Sequence, residues 1–119
     1  MNNLDIYKKA VSILDNNENI ALTTVISTKG SSPGKVGYKM LLWGKEYNTF
    51  GTVGGGAVEA EIINIVKNIL PKIESRAVGF QLKEGQEDAK GVCGGSIELL
   101  IETFDKKKST VVFRAVKRC

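Results

Sequence analysis

Gly51-Thr52-Val53-Gly54-Gly55-Gly56-Ala57-Val58-Glu59-Ala60-Glu61-Ile62-Ile63-Asn64-Ile65-Val66 is the stretch that decides the fold of this chain. Downstream of the glycines, Val58, Ile62, Ile65, Val66, Ile69 and Leu70 keep the i, i+4, i+7, i+8, i+11, i+12 spacing of one helix face, and Pro71 stops the run. Upstream, Thr49 to Val53 reads as a strand. Gly54-Gly55-Gly56 therefore lies between a strand and a helix, where the first helical N–H groups have no intrahelical partner and the helix dipole points the same way. Glycine loses more conformational freedom on folding than any other residue, and bare backbone amides that converge make an anion-binding nest. A tight turn in which glycines let two backbones pack closely accounts for the triplet equally well. Glu59, in the first helical turn, is stabilised by the dipole and needs no chemical duty to be there.

Working outward, Tyr38 to Trp43 is a second strand, joined to the first by the glycine-containing loop Gly44-Lys45-Glu46-Tyr47-Asn48, and the pair is expected to be antiparallel. Ile20 to Thr28 is β-branched and apolar on both alternating faces, as a central strand covered on two sides would be. Leu4, Tyr7, Val11 and Leu14 recur at helical spacing and predict an amphipathic helix over residues 3–16. Arg76 to Leu82 is a candidate strand. Ile97, Leu99 and Ile101 alternate with Glu98, Leu100 and Glu102, marking a strand with one buried face, and a last strand is expected over Thr110 to Val116. The order α-β-β-β-α-β-β-β implies an α+β domain: a mixed, largely antiparallel sheet covered by two helices, with the glycine loops gathered at one edge.

A chain of 119 residues has room for one domain, and 42% apolar residues suffice for a core without disulfides or a structural metal. The net charge of +4 comes from scattered lysines, Lys106-Lys107-Lys108 and Lys117-Arg118. It favours anionic ligands by steering, but without stacking aromatics it does not point to nucleic acid. The two cysteines, Cys93 and Cys119, do not form the dense framework of a small secreted protein, and no apolar run reaches membrane-spanning length, so a cytoplasmic protein with no membrane partner is expected. The sequence contains no histidine, which removes Ser-His and Cys-His nucleophile pairs and histidine zinc sites, and argues against a conventional hydrolase.

Two further segments carry candidate ligand groups. In Lys29-Gly30-Ser31-Ser32-Pro33-Gly34-Lys35, Ser31 and Ser32 supply hydroxyls, Lys35 supplies charge and Pro-Gly sets a turn, although an ordinary polar turn has the same composition. Cys93-Gly94-Gly95-Ser96-Ile97-Glu98 repeats the Gly-Gly-small-branched-Glu pattern of the first turn. A thiol among backbone amides has a lowered pKa and thiolate character; a small, inert, buried cysteine is the plain alternative.

In order and wording these segments resemble the XdhC and CoxI family of molybdenum-hydroxylase maturation factors. The resemblance runs from Thr24 through Glu102, by way of Gly30-Ser31-Ser32-Pro33, Gly37-Tyr38-Lys39-Met40-Leu41, Gly51 to Ala60, and Cys93 to Glu98. It implies a non-enzymatic chaperone that binds the molybdenum cofactor, as molybdopterin or its dinucleotide form, and shields it while the sulfido form is made. The implied partners are a sulfurtransferase of the cysteine desulfurase type and a molybdenum hydroxylase apoenzyme of the xanthine dehydrogenase or carbon monoxide dehydrogenase type. The cofactor-binding residues it implies are Ser31, Ser32, Lys35, Gly54, Gly55, Gly56, Glu59, Cys93, Gly94 and Gly95, with Cys93 as a candidate molybdenum contact.

The chain departs from the family pattern in three places. Many relatives place arginine directly after the proline of the first loop, where Gly34 stands here, and cysteine after the triple glycine, where Ala57 stands here. Relatives usually add a C-terminal Rossmann-like domain; residues 1–119 are expected to be a single domain, either a stand-alone form of the N-terminal domain or a fragment. Two other functions fit the same residues: a thiol-dependent sulfur carrier or redox component using Cys93, and a cofactor-free interaction module. The terminal segment 109–119 is a candidate strand, within the monomer or across a homodimer.

Overall fold

A computed structural model describes residues 3–32, 34–82 and 95–108. Among the described residues, two long helices, α1 (Asn3–Asp15) and α2 (Gly56–Ile69), and a helical turn at 106–108 accompany five strands, β1 (Ile20–Lys29), β2 (Lys39–Trp43), β3 (Asn48–Gly51), β4 (Ser75–Leu82) and β5 (Gly95–Phe104). The strands form one sheet in the order β3-β2-β1-β5-β4, and every pairing is antiparallel. The domain is α+β, and β1 is its central strand, as the doubly apolar Ile20–Thr28 run requires. The terminal strand expected at residues 110–116 lies outside the described residues.

Side-chain alternation along β1 and its neighbours divides the core between the two helices. Ala21, Val25, Met40, Leu42, Leu99 and Ile101 face α2 and pack with its Val58, Ile62, Val66 and Ile69. Ile20, Leu22, Leu41 and Phe104 face the other way and pack with Ile6, Ala10, Ile13 and Leu14 of α1. Each of the larger buried side chains contributes about 1.5–3 kcal/mol of hydrophobic stabilisation, so these two clusters fix both helices to the sheet.

The buried stripe of α1 differs from the one expected. Leu4 is 43% exposed, while Ile6 and Ala10 are buried; Tyr7 and Val11 pack only at the margin. Both stripes satisfy helical spacing. The surface beneath decides between them, because the small side chain of Ala10 lets the helix axis approach the sheet where Leu4 would hold it away.

Register places the end of β1, the start of β5 and the end of β3 toward one end of the sheet, whereas the Gly44 loop between β2 and β3 lies at the other. β1 leaves at Lys29 opposite Ser96, β5 enters at Gly95 opposite Leu82, and β3 leaves at Gly51 opposite Met40. The chain after β1 folds back over a bulge between Val25 and Ser27. There the Val25 amide donates to the Tyr38 carbonyl (2.9 Å) and the Gly37 amide to the Val25 carbonyl (2.8 Å). At the opposite end, Thr103 ties the α2–β4 connection to β5.

Candidate functional site

The turn from β3 into α2 is held by its own side chains. Thr52 Oγ1 donates to Glu59 Oε2 (2.5 Å) and accepts the Gly54 amide (2.9 Å), while the Val53 amide donates to the same carboxylate oxygen (3.1 Å). Gly54 has φ +109°, a conformation that side chains strongly disfavour, and it turns the chain into an extended Gly55 (φ −146°, ψ 139°) that serves as N-cap. The Glu59 amide then donates to the Gly55 carbonyl (3.0 Å), the first bond of the helix. Glu59 thus stands at the positive end of the α2 dipole and reaches back to fasten the strand end to the helix start.

This clasp determines which backbone groups are left over. Val53 and Gly54 have acceptors, and Gly55 offers no side-chain cap. Among the described residues nothing accepts from the amides of Gly55, Gly56, Ala57 or Val58. A Cβ added at Gly56 would meet no described atom within 4 Å beyond its own turn of helix. Amides converging at the start of a 14-residue helix suit an oxyanion.

The serine loop lies beside this turn. A Cβ at Gly34 would run into the Val53 carbonyl, and one at Gly95 would run into the Ser31 carbonyl. These two close approaches need glycine. They bring Ser31 against the start of β5 and Gly34 against the residue preceding Gly54, and the first explains why no larger residue follows Pro33 in this chain. Ser32 Oγ is buried and has no hydrogen-bond partner among the described residues.

Of the residues singled out in the sequence, Gly54, Gly55, Gly56 and Glu59 share the turn, and Ser31, Ser32 and Gly95 adjoin it through the Gly34 and Gly95 contacts. Lys35 is exposed, and its carbonyl accepts the Tyr38 amide (3.0 Å). Cys93 and Gly94 lie outside the described residues. Thr52 was not singled out, and its only signal was a hydroxyl residue directly before the turn. Among the described residues no three of His, Cys, Asp and Glu cluster as a metal site, and no helix is long and apolar enough to cross a membrane.

Comparison with known proteins bears on these features. No curated protein matches the chain. Among solved structures it is similar to a Bacillus halodurans protein described as a xanthine dehydrogenase, with 21% identity and a TM-score of 0.78. The match covers 99% of this chain and 35% of that one, so the fold is shared and this chain spans about a third of that protein's length. The sequence profile of the XdhC and CoxI family matches residues 13–81, a span that takes in the serine loop, β2, the glycine turn and α2 but ends before Cys93. With more than half of its length matched in this way, the chain belongs to the XdhC and CoxI family.

Proposed function

We propose that this chain binds the molybdenum cofactor and acts as a maturation and insertion chaperone in a xanthine dehydrogenase or carbon monoxide dehydrogenase type system. The observation that carries the reading is the row of amides at Gly55, Gly56, Ala57 and Val58, which have no acceptor among the described residues and follow the Thr52–Glu59 clasp. Family membership supplies the class of cargo. The residues present fit its phosphate: amides can donate to it, the helix dipole favours its charge, and a side chain at Gly56 would meet no described atom. The orphaned Ser32 hydroxyl adds a donor that a bound oxyanion would satisfy.

In this reading the turn grips the phosphate end of the cofactor and leaves the molybdenum end for exchange. The cofactor brings the metal chemistry, and this chain contributes binding and orientation only. Glu59 acts by shaping the turn. Cys93 is a candidate for contact with molybdenum or the incoming sulfur. A cysteine-desulfurase-type sulfurtransferase and the apo-hydroxylase are the partners this cargo requires, and the cytoplasm is the compartment in which they would meet.

The test is retention. Purified protein is incubated with molybdenum cofactor, passed through a desalting column and assayed for bound pterin and molybdenum, beside Gly55→Asp and Cys93→Ser variants of matched thermal stability. A carboxylate placed among the amides should lower retention at least about tenfold, in line with the loss of charge-assisted hydrogen bonds. If the parent retains no cofactor, the chaperone reading fails. Loss in Cys93→Ser alone would move the grip from phosphate to sulfur.

A further inference from the structure

A cleft opens on the α1 side of the sheet, with a volume of about 440 Å³, bounded by Asn3 and Ile6 of α1, by Gly37 to Lys39, and by Gly51 and Thr52. Its charged wall is Lys39. On the sheet Lys39 belongs to the same row as Leu41, which is fully buried under α1, and it stands in register with Thr24. An ammonium at such a position usually lays its stem on apolar surface and carries its head out to water. Here the head is drawn inward: Lys39 Nζ donates to Thr24 Oγ1 (2.9 Å) and lies 5.7 Å from the centre of the Tyr7 ring.

Both of these partners are neutral. An ammonium has three donors, and Thr24 takes one. Among the described residues no carboxylate forms an ion pair with Lys39. The acids nearest in sequence to the cleft residues are Asp5, in the first turn of α1, and Glu59, whose Oε2 already accepts from Thr52 and Val53. A half-buried cation, tethered in place with donors left over and no counter-charge, is the arrangement of an anion subsite.

We propose that the cleft binds a small oxyanion, a phosphate or carboxylate group, at Lys39 Nζ. Thr52 lines this cleft and also accepts the Gly54 amide, so the subsite adjoins the glycine turn, two residues and at most about 7 Å of chain away. One ligand bearing two anionic groups can then occupy both places. That extension rests on the cofactor reading above, whereas the Lys39 contact stands without it.

The experiment follows backbone and lysine side-chain NMR shifts of the full chain during titration with inorganic phosphate and, separately, acetate. Lys39→Met removes the charge and keeps an apolar stem, Lys39→Arg keeps the charge, and Gly55→Asp blocks the turn. Shifts at Gly37, Gly51, Thr52 and Lys39 Nζ are expected in the parent, with affinity at least about tenfold weaker in Lys39→Met and recovered in Lys39→Arg, while Gly55→Asp should remove shifts at Gly56 to Val58 and keep those in the cleft. Response to phosphate alone, or to acetate as well, identifies the group the cleft selects. The proposal is overturned if neither anion shifts the cleft amides of the parent, or if Lys39→Met, folded by its amide spectrum, binds as the parent does. Shifts confined to the cleft, with none at Gly55 to Val58, would leave the Lys39 subsite standing and remove the glycine turn as a phosphate grip.

Discussion

Where β1 begins, Thr103 is fully buried (0% exposed) and its hydroxyl is saturated: it donates to the Lys72 carbonyl (2.6 Å) and accepts the Glu74 amide (2.8 Å). The Thr103 amide also donates to the Glu74 carbonyl (2.9 Å), which stitches the α2–β4 connection to β5. Where β1 ends, Ser32 has a buried hydroxyl without a described partner, and the amides that open α2 have no described acceptor. An unmet buried polar group costs about 1–3 kcal/mol, so polar groups that serve only the fold are normally paired inside it. The contrast separates an end of the sheet whose polar groups are paired within the fold from one where described partners are lacking.

The largest expected effect tests the paired end. Thr103→Val keeps the volume and leaves the Lys72 carbonyl and the Glu74 amide without their side-chain partner, so stability should fall by about 2–3 kcal/mol. Urea unfolding should show a lower midpoint at an unchanged slope, with phosphate shifts at the glycine turn preserved. A change under about 0.5 kcal/mol would mean that water replaces the hydroxyl readily, and the contrast between the two ends would lose its basis.

A smaller effect is expected at the other end from Glu59→Ala, which removes the acceptor of Thr52 Oγ1 and of the Val53 amide. These groups are partly solvated, so the loss should be about 1 kcal/mol, including the dipole contribution. The informative readout is binding. With Thr52 released, the turn loses its preset shape, and phosphate affinity should fall even though a negative charge has been removed from the site. Tighter phosphate binding by Glu59→Ala would show that Glu59 acts as a repelling charge and that the turn keeps its form without the clasp.

The sequence made the turn legible more readily than the clasp, for a physical reason. A glycine triplet beside a strict apolar period can hardly be other than a strand-to-helix turn, and the alternation through Ile97, Leu99 and Ile101 fixes which face of β5 is buried. The Glu59–Thr52 contact spans seven positions across a reversal in chain direction, and its geometry exists only once Gly54 has adopted its positive φ. The stripe of α1 was ambiguous because two faces of one helix carry apolar residues and only the sheet chooses. Lys39 was visible as part of a motif and not as a ligand group, because its inward direction depends on Thr24, which becomes its neighbour only through the β1–β2 register.

Thr23 sharpens the comparison from inside the core, with the smallest expected effect. It is fully buried (0% exposed), pairs in register with Met40 and Ile101, and its hydroxyl has no described partner, as with Ser32. The two hydroxyls differ in surroundings: Ser32 belongs to the loop beside the glycine turn, whereas Thr23 lies in mid-strand between apolar neighbours. If lack of a partner marks a binding role only where a ligand can reach, Thr23 is a plain cost to the fold. Valine replaces the hydroxyl with a methyl of similar shape, so Thr23→Val should raise stability by about 0.5–1 kcal/mol and leave phosphate binding unchanged. Ser32→Ala should also remove an unsatisfied group, but it should weaken binding, and this divergence between two chemically alike deletions is what distinguishes a poised donor from a buried defect. Destabilisation by Thr23→Val would mean that its hydroxyl has a partner in solution, and an orphaned hydroxyl at Ser32 would then carry less weight as a sign of a missing guest.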